Sequence, residues 1–319
     1  MFELLDYPFD ATKLLRKKGA IRRELLNNPN LIKKKVAILG GTTTNEIKEQ
    51  LELFLLKSNI QAEFYECEFG QYYEAIIFEE EGLYNFKPDF VYLHVSIENL
   101  KSLYDFKKTS EEKAEEEFIK FQSIWKKLNQ AFQCEVIQDN FELPQFKSLG
   151  NFDSSTSSSI SRTITLLNEM INNYSMKASF LYVCDRHYLS SRMGLALWKD
   201  YSLWLSAKYS LSYKAISNLC YSLSKIIESI LGFSKKCLVL DLDNTLWGGV
   251  IGDDGLDGIL LGRDSAIGEA YLDFHLYIKQ LKDRGVILAV CSKNEFENAK
   301  NAFMHPDSIL KFADFTVFK

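Results

Sequence analysis

The sequence predicts an α/β protein with two doubly wound, mainly parallel sheets. Three observations support this: the chain length, the alternation of strand-like and helix-like segments, and a second unit that again starts with a strand at Lys235. The 319 residues are enough for two domains, each with its own core. Apolar residues make up 46% and charged residues 25%, which excludes collagen-like and wholly disordered chains.

Short apolar runs alternate with segments of helical period over residues 35–195, the first predicted α/β domain. The predicted strands are 36–39, 62–67, 90–95, 134–137 and 178–183, and the predicted helices are 45–57, 72–78, 110–132 and 160–173. This alternation is typical of a parallel sheet with helices on both faces. Residues 1–34 are predicted to be a helical segment, because 11–26 is rich in Leu, Lys and Arg and Asn-Asn-Pro follows.

Residues 196–234 are mostly helical in pattern and are predicted to connect the two sheets. The second domain, 235–319, repeats the order of strand and helix. Its predicted elements are a strand at 236–240, a glycine-rich loop, a helix at 265–284, a strand at 286–290, a short helix at 295–303 and a last strand near 312–318.

Charge and cysteine content limit the partners and the compartment. Lys and Arg number 38 against 43 Asp and Glu, so the net charge is 38 − 43 = −5 and nucleic acid is not an expected partner. The six cysteines are spread singly, which indicates reduced thiols and a cytoplasmic location. The amino terminus lacks the basic region of a signal peptide, and no apolar run is long enough to span a membrane.

The segment DLDNTLWGG, 241–249, directly follows the apolar run CLVL. A strand that ends in Asp-x-Asp places Asp241 and Asp243 at the carboxyl edge of a parallel sheet, where open α/β folds bind ligands. The two side chains project to the same side, so they can share one Mg²⁺. One carboxylate can attack phosphorus while the other transfers protons. The alternative is a helix cap or turn, which Asp and Asn also favour.

A second strand, VILAVCSKN, ends in Ser292 and Lys293. A hydroxyl and an ammonium group at the tip of a neighbouring strand suit the oxygens of a phosphoryl group. Together with Asp241 and Asp243, they favour a catalytic site over a simple turn.

These residues resemble the haloacid dehalogenase (HAD) superfamily, whose first motif is DxDx(T/V). The run LVLDLDNTLWGGVIGDDGLDGILLG, with GEAYLDF, GVILAVCSKN and HPDSIL, is similar to the FkbH-like subfamily IIIC and implies a HAD-like Rossmannoid domain. By that resemblance the site consists of Asp241 as nucleophile and Mg²⁺ ligand, Asp243 as general acid/base and second ligand, Thr245 as loop support, and Ser292 and Lys293 as phosphate binders.

The same resemblance gives residues 248–262 the position of a minimal cap. Trp247 could line the substrate entrance or pack in the core. FkbH-like proteins are associated with loading glyceryl groups onto an acyl carrier protein, so Cys291 could accept an acyl group, unless it is a buried strand cysteine. The resemblance therefore implies a small phosphorylated acid as substrate, Mg²⁺ as cofactor and an acyl carrier protein as partner.

The first sheet, flavodoxin-like in its expected order, resembles the SGNH-hydrolase-like domain that precedes the HAD domain in this family. The positions of its site residues are taken by Thr42 or Thr43 for the nucleophilic serine, Gly70 for the second-block glycine, Glu98 or Asn99 for the oxyanion-hole asparagine, and Asp185 with Tyr188 for the closing Asp-x-x-His. Because these replacements break an esterase triad, the domain is expected to be a docking platform. His94 and His187 are then structural.

HAD catalysis also uses a third-motif lysine and a fourth-motif acidic pair, which would follow Lys319 in a longer chain. The sequence is therefore expected to be a fragment with weak metal binding and little turnover. The leading hypothesis is a Mg²⁺-dependent HAD-type phosphatase or phosphotransferase with an aspartyl-phosphate at Asp241. The alternatives are a non-catalytic docking module, and an esterase at Thr42 or Thr43.

Overall fold

The computed structural model describes residues 2–319 and divides the chain into two compact units. The first unit ends at Gly232, and the second is Phe233–Lys319. Each unit contains one sheet in which all paired strands are parallel. The predicted fold class is confirmed.

The first unit has five strands in the order β2-β1-β3-β4-β5, which is the order of a doubly wound sheet. The strands are β1 (Ile32–Gly40), β2 (Ile60–Glu66), β3 (Phe90–His94), β4 (Glu135–Asp139) and β5 (Leu181–Cys184). The helices are α1 (Ala11–Leu25), α2 (Asn45–Lys57), α3 (Tyr72–Ile77), α4 (Glu81–Phe86), α5 (Ser110–Phe132), α6 (Ile160–Ser175), α7 (Arg186–Met193), α8 (Leu195–Trp198), α9 (Tyr201–Ala207) and α10 (Tyr213–Ile230). Short 3₁₀ helices occupy Phe2–Leu5, Ile97–Asn99, Lys101–Tyr104 and Gly150–Ser155.

Strand β1, which lies between β2 and β3, explains why this sheet has two cores. Val36 and Ile38 point to one face and pack with α1, α2 and α10, whereas Ala37 and Leu39 point to the other and pack with α5 and α6. All four side chains are fully buried. A strand that is buried on both faces reads as a continuous apolar run, which is how VAIL appears in the sequence.

The helix α10 belongs to the core of the first unit, which differs from the predicted connector over 196–234. Its buried residues, among them Ile216, Leu219 and Leu223, join the same core cluster as α2. An amphipathic helix must bury its apolar stripe, and α2 supplies the surface for it. The amino-terminal helix α1 packs into this cluster in the same way.

The second unit has three strands in the order β6-β7-β8. Its elements are β6 (Cys237–Leu240), α11 (Ile251–Asp254), α12 (Ala266–Asp283), β7 (Ile287–Val290), α13 (Phe296–Ala302), a 3₁₀ helix (Phe312–Asp314) and β8 (Val317–Phe318). The predicted strand near 312–318 is shorter than expected. The Asp314 carboxylate turns the chain there, because it accepts the Lys311 N–H at 2.8 Å and the Lys279 and Lys282 ammonium groups at 2.6 Å.

Within residues 2–319, no helix is both long enough and apolar enough to cross a lipid bilayer.

Candidate active site

The ends of the three strands in the second unit lie at one edge of the sheet. Leu240 of β6 is paired with Val290 of β7, and Val290 is paired with Phe318 of β8. The pairing continues past β7, because the Cys291 N–H donates to the Leu240 carbonyl and the Ser292 N–H to the Lys319 carbonyl, both at 2.9 Å. Asp241 and Ser292 are therefore brought to the same edge, as the strand pattern predicts.

The Asp243 carboxylate is held by three donors. Its Oδ1 accepts the indole N–H of Trp247 at 3.0 Å and the backbone N–H of Ile251 at 3.1 Å. Its Oδ2 accepts the Asn294 amide at 2.8 Å. Since Asn294 follows β7, this last bond joins the loop after β6 to the loop after β7.

The Asp241 carboxylate lies in a different environment, although it is only two residues away. The residue is exposed, and its Oδ1 accepts the N–H of the next residue, Leu242, at 2.8 Å. One carboxylate at this edge is thus open to solvent, while its neighbour is fixed in orientation by hydrogen bonds. A nucleophile needs access and a proton carrier needs a fixed position, so the two environments suit the two predicted roles.

The turn after β6 is closed by its own residues. The Leu242 carbonyl accepts the N–H groups of Thr245 and Leu246 at 3.0 and 2.8 Å. Asn244 has φ 54°, the left-handed region that Asn tolerates better than most residues, and its Oδ1 accepts the Gly249 N–H at 3.0 Å. The loop is therefore supported by the Thr245 backbone and by the Asn244 side chain, whereas the prediction assigns this support to Thr245.

The predicted cap segment, residues 248–262, forms a small flap. Gly248 and Leu260 pair as an antiparallel bridge with bonds of 3.1 and 2.8 Å, and α11 lies between them. The Asp254 carboxylate closes the flap by accepting the Val250 N–H at 2.8 Å. Gly249 has φ 96°, and a Cβ there would lie 2.6 Å from the Asp254 Oδ2, so the turn requires glycine.

Trp247 is a core residue. It is completely buried, and its ring packs edge-on against Phe303 with centroids 5.6 Å apart. Of the two interpretations of Trp247, the structure supports packing. His275 of α12 lies behind the same loop and donates from Nε2 to the Leu246 carbonyl at 2.8 Å. Burial lowers the pKa of His275 to about 4, so the ring is neutral near pH 7.

The residues after β7 differ in exposure. The Ser292 Oγ is partly buried and accepts the Asn294 N–H at 3.2 Å, whereas the Lys293 side chain is exposed. Cys291 is an exposed free thiol, so it is not the buried strand cysteine that was the alternative.

The positions of the first unit that the SGNH resemblance singles out do not form a triad. The Thr43 hydroxyl donates to the Ala207 carbonyl at 2.5 Å, and Asp185 caps α7 by accepting the Tyr188 N–H at 3.0 Å. The Asn99 amide donates to the Gly41 carbonyl at 2.9 Å, so one of its two N–H groups is already used within the fold. Gly70 lies in the turn before α3 with φ 74°.

A different chain of hydrogen-bonded polar groups lies at the carboxyl edge of the first sheet, where β3 and β4 end. His94 Nδ1 is 3.1 Å from the Asp139 Oδ2, and His94 Nε2 is 3.1 Å from the Ser210 Oγ. The Thr42 hydroxyl donates to the Ser210 Oγ at 3.4 Å. Burial lowers the pKa of His94, so its neutral ring can direct Nδ1–H to Asp139 and accept from Ser210 at Nε2. Ser210 and Thr42 are each only 2% exposed, so the chain of groups is closed to substrates.

A buried arginine completes this cluster. Arg186 lies 2.7 Å from Glu142 through Nε and 3.6 Å from the Asp139 Oδ2 through a terminal nitrogen. The two carboxylates raise the pKa of Arg186, against the opposing effect of its burial. His94 is structural here, as predicted, and His187 contacts the Phe141 carbonyl at 3.3 Å.

Three residues that support these two groups of polar side chains, each within its own unit, were not predicted from the sequence. Asn294 was within the quoted motif but had no role, and Asn244 was treated as part of a turn signal. Ser210 gave no signal, because it lies more than a hundred positions from His94 and only the fold brings the two together.

A metal could use the open Asp241 carboxylate, since Mg²⁺ is commonly held by one or two carboxylates with waters and substrate phosphate. Over residues 2–319, no group of three or more His, Cys, Asp or Glu side chains forms a metal cluster. The Asp243 carboxylate accepts three N–H groups, one of them at Oδ2, so its shared binding of the ion stays a prediction.

The fold and the edge of the second sheet define a two-unit α/β protein with an Asp-x-Asp site. The sequence model described as "FkbH, N-terminal domain" matches residues 35–230. The chain therefore belongs to the FkbH family, in agreement with the motif resemblance.

The solved structures include a similar protein. It is the N-terminal part of BF1531 from Bacteroides fragilis, which contains a phosphatase domain complexed with Mg; it aligns at 30% identity and a TM-score of 0.85 over 95% of this chain and 80% of that chain. Axe2, an acetylxylan esterase from Geobacillus stearothermophilus, aligns at 14% identity and a TM-score of 0.40 over 63% of this chain and 95% of that chain. The similarity to Axe2 is too weak to indicate a function for this chain. No curated protein matches the sequence at a significant level.

Proposed function

We propose that the second unit catalyses Mg²⁺-dependent phosphoryl transfer of the HAD type through an aspartyl-phosphate at Asp241. The observation that carries this proposal is the unequal pair of carboxylates at one sheet edge. Asp241 is exposed with one backbone donor, and Asp243 is fixed by three donors. The similarity to a phosphatase domain complexed with Mg supports it.

In the proposed reaction, the Asp241 carboxylate attacks phosphorus and the bond to the leaving oxygen breaks. Asp243 gives its proton to that oxygen and later takes one from the water that hydrolyses the aspartyl-phosphate. The Asp243 Oδ2 accepts one N–H only, so it retains a lone pair for this proton. Ser292 and Lys293 would bind the phosphoryl oxygens from the neighbouring strand end.

Mg²⁺ would be held by Asp241 and, when bound, would offset the negative charge that the carboxylate and the phosphate bring together. The substrate class that we propose is a small phosphorylated acid. The flap over residues 248–262 contacts the site, because the Ile251 N–H donates to Asp243, and a flap beside the site favours a small substrate over a large one.

Cys291 supports a finer proposal, that the acid is loaded onto an acyl carrier protein. Its exposed thiol follows β7 directly and precedes Ser292. The thiol would attack the carbonyl of an acyl phosphate, phosphate would leave, and the thioester would pass to the carrier. Cys237 is also exposed and offers a matched control. Loading should be lost in Cys291→Ala and kept in Cys237→Ala; equal loading by the two variants would contradict this step.

The test of the main proposal is phosphate release from p-nitrophenyl phosphate and 3-phosphoglycerate, with Mg²⁺ or with a chelator. We expect Mg²⁺-dependent release that falls by about 10³-fold or more in Asp241→Asn, because the nucleophile is lost. Asp253→Asn changes an exposed carboxylate of the same loop and should keep the activity. Equal rates in the two variants would contradict the proposal, and folded protein that releases no phosphate would favour a docking module.

A further inference from the structure

A cavity lies in the first unit, beyond the carboxyl ends of β3 and β4 and beneath α8 and α9. Its volume is about 210 Å³, and its walls come from the segments 97–104, 142–146 and 195–201, with Ile160. Open α/β sheets bind ligands at this edge. Of the positions that the SGNH resemblance singles out, Glu98 lines this cavity, whereas Thr42, Thr43, Gly70 and Asp185 do not. The cavity therefore lies beside those four positions and does not include them.

The mouth of this cavity is aromatic. Tyr104 is 55% exposed, Phe146 74% and Tyr201 53%. The rings of Phe146 and Tyr201 approach edge-to-face with centroids 6.5 Å apart. Three large aromatic rings around one small opening form an apolar surface of the kind that marks a ligand site.

The interior of the cavity is polar, and its charges are paired. Lys199 contacts Glu98, and Arg186 contacts Glu142 at 2.7 and 2.8 Å. Each carboxylate therefore has a cation beside it. A ligand with a net charge would have to separate one of these pairs, so the interior favours a neutral molecule.

Among residues 2–319, three polar atoms on residues that line the cavity have neither a hydrogen-bond partner nor an ion-pair partner, if the Glu142 Oε2 is set aside because it pairs with Arg186. They are the Glu98 Oε2, the Gln145 Oε1 and the Trp198 Nε1. Trp198 is 99% buried, and an unpaired buried donor costs about 1–3 kcal/mol. Unpaired groups of this kind call for an explanation, and three of them beside one cavity indicate a ligand that supplies the missing bonds.

The chemistry of these atoms defines the ligand. Glu98 and Gln145 present acceptors, whereas Trp198 presents a donor, and a hydroxyl group can serve both. The aromatic mouth favours a compact molecule with C–H faces. The volume is below the range of drug-sized sites, so the ligand is small.

We propose that this cavity binds a small, neutral polyhydroxy molecule of monosaccharide size. The three unpaired atoms have almost no exposed surface, so the hydroxyl groups reach them after small side-chain shifts at the wall, as is common on binding. The site is independent of Asp241 and does not rest on the proposed phosphoryl transfer.

The test is saturation-transfer NMR on the whole chain with D-glucose, D-galactose and D-mannose. We expect transfer to the C–H protons of at least one sugar, and at least a tenfold weaker affinity in Phe146→Ala. Phe106→Ala is the matched control, because Phe106 is also an exposed phenylalanine but does not line the cavity. Its affinity should equal that of the unchanged protein.

Three results would overturn the proposal: no transfer to any of the sugars, equal affinity in Phe146→Ala and in the unchanged protein, or loss of affinity in both variants. A parallel titration with glucose 6-phosphate tests the charge. The neutral sugar should bind at least as tightly as the phosphate, and tighter binding of the phosphate would contradict a neutral ligand.

Discussion

Asp241 and Asp243 show how two identical side chains acquire different roles from their surroundings. Both follow β6, but three N–H groups converge on Asp243 and one backbone N–H on Asp241. The sequence predicted the pair and its position at the sheet edge. It could not predict which carboxylate is fixed, because the fixing donors come from Trp247, Ile251 and Asn294, and Asn294 is about fifty residues further along the chain.

We predict that Asp243→Ala lowers the free energy of unfolding by about 1–3 kcal/mol, because it leaves partly buried donors without an acceptor. Asp241→Ala should change it by less than about 0.5 kcal/mol, since the side chain is exposed. Urea unfolding of the two variants measures the difference. An equal loss in both would contradict the different environments described for the two carboxylates.

The buried His275 should make the folding stability of the second unit fall as the pH is lowered. Burial lowers its pKa to about 4 from the ordinary 6.5, so the unfolded chain takes up this proton at a higher pH than the folded chain. The contribution to stability is complete above pH 6.5 and is lost as the pH falls towards 4. Its full size is about 3 kcal/mol, since one pKa unit is about 1.4 kcal/mol.

In His275→Gln, we expect the stability to change less between pH 6.5 and pH 4 than in the unchanged protein. The glutamine amide can still donate towards the Leu246 carbonyl but does not titrate. His305→Gln is the control, because His305 is only partly buried. Unfolding midpoints measured at intervals across this range test the prediction, and parallel curves for the unchanged protein and His275→Gln would contradict it.

Among the elements, α12 shows where packing opposes helix propensity. It begins after Ser265, whose hydroxyl accepts the Gly268 N–H at 3.0 Å. A Cβ on Gly268 would lie 2.6 Å from the Gly262 carbonyl oxygen, a backbone atom that cannot easily move. Gly19 in α1 has no atom within 4 Å of an added Cβ.

We therefore expect opposite effects from the same substitution. Gly19→Ala should stabilise the protein by about 0.5–1 kcal/mol through helix propensity. Gly268→Ala should destabilise it by about 1–3 kcal/mol through the close contact. Thermal unfolding distinguishes the two, and stabilisation by both changes would show that the close approach of Gly262 does not constrain α12.

The strands and long helices could be predicted because the residue pattern that forms each of them lies within its own segment of the sequence. The helix α2 was predicted with its observed bounds, and α5 likewise, since an apolar stripe at helical spacing fixes both. The short helix α4 was not predicted, and α8 and α9 were predicted only as part of the mostly helical stretch 196–234, without bounds. These helices have four to seven residues, at most about two turns, so contacts in the folded chain rather than a repeating pattern hold them. The strand near 312–318 was overestimated for the same reason, since Lys279 and Lys282 reach Asp314 only through the fold.

The whole chain is two parallel sheets with separate cores, and each sheet carries its polar groups at its carboxyl edge. At the carboxyl edge of the second sheet, the sequence predicted the positions of Asp241, Asp243 and Ser292, because each lies just after an apolar run. At the edge of the first sheet, it predicted that Thr42, Thr43 and Asp185 do not make an esterase triad. It did not predict the buried chain from Asp139 through His94 to Ser210, because strand order and a distant loop create it.

The central claim is that Asp241 carries the phosphoryl group during turnover. The most direct measurement quenches the protein with borohydride during reaction with p-nitrophenyl phosphate and Mg²⁺, then locates the reduced residue by peptide mass spectrometry. Borohydride converts an aspartyl-phosphate to homoserine, so we predict homoserine at position 241 in the unchanged protein and none in Asp241→Asn. Phosphate release with an unmodified Asp241, or with the modification at another residue, would contradict the account.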